Sequence, residues 1–377
     1  MRASGAAALE RTLVEHDNTL AYRLHMDVPL LIGLVVLAAI GFVVLYSAGG
    51  QSMDILSRHA IRLVIAFGVM FVLAQIAPGH YQYWSPWIYA IGLIMLIMVL
   101  GFGQFGKGAQ RWLDLGIVRF QPSELVKISV PMMIAYYLSE RPIPPSFKRI
   151  ALGLVLVIVP TLFIAKQPDL GTALLVASAG LFVLFLAGIP WAAIIAASIA
   201  AVASLPIMMN FLHDYQRRRV ETFLDPERDP LGSGYHIIQS KIAIGSGGLY
   251  GKGWLNGTQS QLDFLPERST DFVFAVLSEE FGLIGVLLVF IVYGFVVGRG
   301  LYIAVNAQET FGRLLAGGLV MTFFVYVFVN VGMVSGMLPV VGLPLPLISY
   351  GGTSLVTMMA AFGLLMSIHT HRRLLSE

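Results

Sequence analysis

The chain has 377 residues, with 24 Lys and Arg against 21 Asp and Glu, so charged side chains make up 12% of it and the net charge is +3. A soluble domain carries roughly 25% charged residues, and a hydrophobic share of 57% is more apolar surface than one water-bounded core can hide. These numbers exclude a water-soluble globular protein. With no dense basic block they also give no nucleic-acid role. No cysteine is present, so any chemistry uses oxygen and nitrogen groups.

A membrane span needs about 20 mainly apolar residues, because each backbone amide must be satisfied within its own helix. The runs that qualify are, in order, Val28–Tyr46, Ala60–Ile76, Trp87–Phe102, Leu125–Leu138, Ile150–Ala165, Leu170–Leu186, Trp191–Leu212, Phe272–Val297, Leu314–Val334 and Leu347–Ile368. The expected fold class is therefore all-α, a polytopic membrane protein of ten transmembrane helices. It divides into an N-terminal tail (1–27), a single membrane domain (28–368) and a C-terminal tail (369–377). The acidic and basic residues ahead of Val28 do not resemble a cleaved signal peptide.

An even number of spans puts both termini on one side. That side holds Arg2, Arg11, Arg23, Arg141, Lys148, Arg149, Arg299, Arg313, Arg372 and Arg373 and is expected to be cytoplasmic. The opposite face carries Arg58, Arg62, Lys107, Arg111, Arg119, Lys127 and Lys166. Charge there works against the orientation rule, and an anionic ligand is the simplest reason to keep it. The connection 213–270, between the seventh and eighth helices, lies on this outer side and is far longer than a hairpin needs. Pro339, Pro344 and Pro346 interrupt the apolar stretch Leu338–Tyr350, as in a partly re-entrant loop.

Several polar residues need explaining. Ser123 reads as an N-cap of the fourth helix. Glu124 and Lys127 follow at i, i+3 on one face, able to pair with each other or to address a ligand. Arg111 offers a bidentate anion fork beside the amphipathic ring of Trp112, although a tryptophan alone also reads as a membrane-belt residue. Lys166 and Asp169 flank a short turn that reads as a hydrogen-bonded hinge. Arg217, Lys241 and the glycine-rich run around them form either a phosphate-approaching loop or a solvated basic one. Glu279 and Glu280 lie too deep to be solvated and are expected to face the bundle in packing or pairing.

Asp271 stands where the eighth helix enters the membrane. It reads either as a helix-capping acid or as a partly desolvated carboxylate able to take a proton from a sugar hydroxyl. The histidines show no ligand spacing, so a protein-built zinc site has little support.

Taken together, these segments resemble the SEDS family (shape, elongation, division and sporulation). The most specific stretch is NVGMVSGMLPVVGLPLPLISYGGTS over Asn330–Ser354, joined by GAQRWLDLGIVRFQPSELVK, QPDLGTAL, LDPERDPLGSGYHIIQSKIAIGSGGLYGKGW and LPERSTDFVFAVLSEEFG. The LPER before Asp271 is nearer the RodA branch than the FtsW branch. The resemblance implies a peptidoglycan glycosyltransferase of the bacterial cytoplasmic (inner) membrane that polymerises lipid II at the outer face during cell elongation. Its implied partners are a class B penicillin-binding protein, other elongation-complex proteins and membrane lipids.

By that similarity Asp271 is the essential acid, and Arg111, Trp112, Glu124, Lys127, Asp169, Arg217, Lys241 and Glu267 are substrate-binding candidates. The cations among them would offset the charge of a departing polyprenyl pyrophosphate, with or without a divalent ion such as Mg or Mn. Ser269 stands where related sequences often have His, leaving open which neighbour shares the proton of Asp271. Two readings from other classes compete: a transporter that moves lipid II between leaflets, and a scaffold that activates the penicillin-binding protein.

Overall fold

The computed structural model describes residues 24–106, 109–114, 119–192, 233–262, 264–265 and 267–371, with isolated positions 195, 199, 203, 222, 223 and 225. Most of the expected seventh span, Trp191–Leu212, falls outside the described residues, as do Arg217 and most of both tails. Each of the other expected runs overlaps a helix, although the run Leu347–Ile368 begins in non-helical backbone and its helix starts only at Thr353; the molecule is nearly all-helical.

The first helix, α1 (Val28–Ala48), starts where the Asp27 carboxylate accepts from the Leu30 amide at 2.9 Å, with proline in its first turn. Helix α2 (Met53–Ala74) opens on Ser52 as N-cap, seven residues before the expected Ala60. Its first turns are amphipathic rather than apolar, and the Asp54–Arg58 pair at 2.8 Å belongs to them. Helix α3 (Pro78–Phe102) likewise begins earlier than Trp87, on a proline whose missing N–H costs nothing in a first turn.

Residues 104–120 depart from the all-α expectation. Strands β1 (Gln104–Gly106), β2 (Ala109–Asp114) and β3 (Arg119–Phe120) pair antiparallel in that order, Gln104 opposite Trp112 and Leu113 opposite Phe120. This small sheet hands the chain to α4 (Pro122–Ser139), whose N-cap is Gln121. The expected cap at Ser123 is thus corrected: Pro122 takes the first helical position, where its fixed φ is already helical, so Ser123 lies inside the first turn.

Helices α5 (Phe147–Lys166) and α6 (Leu170–Leu186) follow, then α7 (Ser233–Gly247) and the single turn α8 (Thr258–Gln261) within the long connection. Helices α9 (Val273–Val305), α10 (Thr310–Val334) and α11 (Thr353–Thr370) complete the bundle. Seven of the described helices, α1, α2, α3, α5, α9, α10 and α11, are long and apolar enough to cross a membrane. Two-thirds of the apolar window of α10 and α11 is buried, against 22% for α2 and α3, so the last two helices form the centre. Outer positions such as Val64, Phe102 and Ile291 expose apolar side chains, the pattern expected where hydrocarbon is the solvent.

Helix α9 is broken at Gly282, which has φ 63° and ψ −163°. A break strands backbone groups that cost several kcal/mol each when unsatisfied in apolar surroundings. The segment 248–253 satisfies them: the amides of Leu283 and Ile284 donate to the carbonyls of Gly248 and Leu249, and those of Lys252 and Gly253 donate to the carbonyls of Glu279 and Glu280. Gly251 must be glycine here, since a Cβ would stand 2.1 Å from the Glu280 carbonyl oxygen. The Glu279 carboxylate, fully buried, accepts from Lys252 Nζ at 2.7 Å, Thr258 Oγ1 at 3.0 Å and the Gln259 amide at 3.0 Å, while Glu280 accepts from the Ser47 hydroxyl. Both acids therefore face the bundle, as expected of them, Glu279 paired with Lys252 and Glu280 held by a hydroxyl, and they fix the half-helix that begins at Val273.

Candidate functional site

Asp271 stands two residues before α9, in a turn, and is half-buried. The N-cap position belongs to Phe272, which makes no side-chain capping bond. The place of Asp271 is set through the backbone. Tyr350 N donates to the Ser269 carbonyl at 2.8 Å, Ser349 Oγ to the Thr270 carbonyl at 2.5 Å, and Asn330 Nδ2 to the Asp271 carbonyl at 3.0 Å. Three consecutive carbonyls are thus held by the C-terminal half of α10 and the non-helical loop 335–352. That loop is itself anchored: Ser349 Oγ accepts from the Leu345 amide at 2.7 Å, Asn330 Nδ2 also donates to the Leu343 carbonyl at 2.6 Å, and the Tyr293 hydroxyl donates to the Pro346 carbonyl at 2.5 Å. Leu343, Leu345, Leu347 and Ile348 are buried, so the expected re-entrant stretch is irregular backbone packed inside protein.

Gly342, at φ +76°, lies against the carboxylate: a Cβ there would sit 3.4 Å from Asp271 Oδ2. Around the same turn the His236 ring of α7 stacks on Phe272 with centroids 5.7 Å apart. Burial lowers the His236 pKa from its ordinary value, and the nearby Glu267 carboxylate pulls the other way. Glu267 is exposed and its Oε2 accepts from the Thr270 hydroxyl at 2.7 Å.

The other sequence candidates fall into two groups on the sheet and α4. Arg111 is engaged with the turn between α5 and α6: Nε donates to the Gln167 carbonyl at 3.4 Å, Nη2 to the Pro168 carbonyl, and Nε lies 3.7 Å from Asp169 Oδ2. Asp169 also accepts from Gln121 Nε2 at 3.2 Å and caps α6 through the Thr172 amide at 3.2 Å. This cluster is the hydrogen-bonded hinge that the turn suggested.

In the second group Lys127 Nζ donates to Glu124 Oε1 at 2.8 Å and to the Tyr326 hydroxyl of α10 at 2.6 Å, with both charged residues about 5% exposed. Glu124 Oε2 has no partner. Glu124 and Trp112 share the wall of a cleft of about 440 Å³ with Arg62 and the start of α11. Lys241 is exposed on α7, its chain lying across Gly336 at the end of α10, where a cation meets the negative end of a helix dipole. Among the described residues no three His, Asp or Glu side chains stand together to hold a divalent ion. Asn330, Ser349 and Gly342 were not singled out by the sequence as parts of the site. Their signal was the signature stretch 330–354, whose carbonyl contacts appear only in the fold.

A non-helical loop buried among membrane-crossing helices, clasping an acidic turn, defines a polytopic membrane protein with a carboxylate at a helix entrance. The family model described as cell cycle protein, FtsW/RodA/SpoVE, matches residues 20–374, and the chain belongs to that family. It is 57% identical to the peptidoglycan glycosyltransferase MrdB of Escherichia coli strain K12 over 94% of this chain and 96% of the relative. It is 32% identical to the peptidoglycan glycosyltransferase RodA of Treponema pallidum over 92% and 98%. Among solved structures, a peptidoglycan synthase complex described as coordinating polymerization and crosslinking superposes with a TM-score of 0.79 at 34% identity, covering 91% of this chain and 97% of that one. The rod shape determining protein RodA of Thermus thermophilus matches with a TM-score of 0.70 at 30% identity over 93% and 98%.

Proposed function

We propose that this chain is a peptidoglycan glycosyltransferase that polymerises lipid II at the outer face of the cytoplasmic membrane, with ten spans and a class B penicillin-binding protein as its partner. The observation that carries this reading is Asp271, a half-buried carboxylate held at the mouth of α9 by hydrogen bonds to the carbonyls of residues 269, 270 and 271. Family membership and the activity named for its relatives support it.

In this reaction the Asp271 carboxylate accepts the proton of the acceptor sugar hydroxyl as that oxygen attacks the anomeric carbon of the donor. The new glycosidic C–O bond forms while the bond from that carbon to the polyprenyl pyrophosphate breaks, and the pyrophosphate leaves with the bonding electrons. The aspartic acid then returns its proton to water. Rigid placement matters because general-base transfer needs heavy atoms within about 3 Å, and an error near 1 Å costs about a hundredfold. The lysine held by Glu124 and Tyr326 contributes fixed positive charge beside the cleft.

Product analysis separates this reading from a transporter. Purified protein and partner are given lipid II on one face of a vesicle: glycan strands are expected, and leaflet exchange without polymer would overturn the reading.

A further inference from the structure

Arg62 of α2 is a charged side chain at the wall of the cleft beside Trp112 and Glu124. It lies nine residues into α2, two residues past the start of the apolar run at Ala60. A cation at the edge of an apolar run is costly unless it is paired, solvated or used. Its guanidinium carbon lies 4.4 Å from the centroid of the Tyr350 ring. Among the described residues no carboxylate pairs with it and no hydrogen bond uses its N–H groups. Arg58, one turn earlier on the same helix, has instead a carboxylate partner in Asp54.

The contact has a chemical consequence. A guanidinium attracted to an aromatic face is restrained there while its N–H donors are not consumed by the ring. The Arg62 side chain lines the cleft of about 440 Å³ together with Trp112, Phe120, Glu124, Thr353 and Val356. The N-terminus of α11 opens there too, and its N-cap Gly352 supplies no side-chain bond to the first amides. Glu124 lines the same cleft, although its unpartnered Oε2 is buried away from the cleft surface. One wall therefore offers donors for an anion, and Trp112 a flat apolar surface between aliphatic side chains. A phosphorylated sugar on an apolar chain presents the matching groups.

We infer that Arg62 binds the diphosphate of a lipid-linked sugar in the cleft between α2, the β2–β3 sheet, α4 and α11. The inference rests on the glycosyltransferase reading for the identity of the substrate. Arg62 is joined to the turn that carries Asp271 through Tyr350, which bears the guanidinium on its ring and holds the carbonyl of Ser269, two residues before Asp271, with its amide. Diphosphate bound at Arg62 therefore sits on the support that places the base, which ties substrate binding to the geometry of the reacting centre.

The test measures binding of farnesyl pyrophosphate and of farnesol to the full-length Asp271→Asn protein in its complex with the partner, with and without Arg62→Gln or Arg62→Lys. Arg62→Gln should weaken farnesyl pyrophosphate binding at least about tenfold, as loss of charge-assisted hydrogen bonds does. Farnesol binding should not change, and Arg62→Lys should fall between. Equal affinity of the Arg and Gln proteins for the pyrophosphate, or no binding by either, would overturn the inference and leave Arg62 a support for Tyr350. Should the Gln protein not fold, the Lys protein decides: pyrophosphate affinity equal to that of Arg overturns the assignment. Polymerisation by the protein with Asp271 and Arg62 intact is measured separately, and its absence would count against the glycosyltransferase reading without touching the binding result.

Discussion

Asn330 Nδ2 donates at once to the Asp271 carbonyl at 3.0 Å and to the Leu343 carbonyl at 2.6 Å. One fully buried amide group thereby joins the reactive turn to the loop beneath it. Its replacement tests whether the turn is held from below. Asn330→Ala leaves a buried and a part-buried carbonyl without that donor, a cost of about 2–6 kcal/mol at roughly 1–3 for each unsatisfied group. A lowered melting temperature and a larger loss of polymerisation are expected. Asn330→Asp, with an acceptor facing two acceptors, should be at least as damaging, which a side-by-side thermal melt checks.

Gly342 separates stability from activity. An alanine at its φ of +76° costs about 1–2 kcal/mol in backbone strain, and its Cβ would lie 3.4 Å from Asp271 Oδ2. Gly342→Ala should therefore fold with a modestly lower midpoint while polymerisation falls by more than tenfold. Equal loss of both in a paired melt and rate measurement would show that the glycine serves only the turn.

The Glu124–Lys127–Tyr326 group obeys the rules of buried charge. Lys127→Met strands a buried carboxylate and should destabilise by about 3–5 kcal/mol. Tyr326→Phe removes only the hydroxyl that accepts from Nζ, for about 1 kcal/mol or somewhat more. The double replacement Glu124→Gln with Lys127→Met should recover much of the stability lost by Lys127→Met alone, as denaturant titration in detergent can measure.

His236 makes stability depend on pH in a defined direction. Burial lowers its pKa in the folded protein, so the unfolded chain takes a proton near pH 6.5 before the folded one does. The stability it contributes is complete above about pH 6.5 and is lost as pH falls toward the lower folded value. His236→Gln should flatten the fall in melting temperature between roughly pH 6.5 and 5, and an unchanged slope would assign that fall to other groups.

The apolar helices were legible because hydrocarbon selects composition directly: Val28–Ala48 and Leu170–Leu186 stand almost where their apolar runs do. Starts were not. The first turns of α2 and α3 carry Asp54, Arg58, His80 and Tyr81, which an apolar window discards although the backbone continues through them. The short sheet at 104–120 lacked a strict two-residue alternation, and a single glycine within the apolar run Phe272–Val297 carries no mark of the break at Gly282.

Within the site, Asp271 and the Glu124–Lys127 pair were visible as charges in apolar surroundings. The clasp on residues 269–271 was not, because it joins backbone carbonyls to side chains and amides some 60–80 positions away, and main-chain partners leave no residue-type signature. Arg111 pointed to an anion by type, yet its donors go to the Gln167 and Pro168 carbonyls.

The most direct measurement is the rate at which purified Asp271→Asn, with its transpeptidase partner, converts lipid II into glycan strands. The side chain keeps its size and its backbone clasp, so the protein should melt close to the unaltered chain while polymer formation drops at least about a hundredfold, the contribution of a positioned general base. Full-rate polymerisation by the asparagine protein would remove Asp271 from the chemistry and with it the account of why this turn is held.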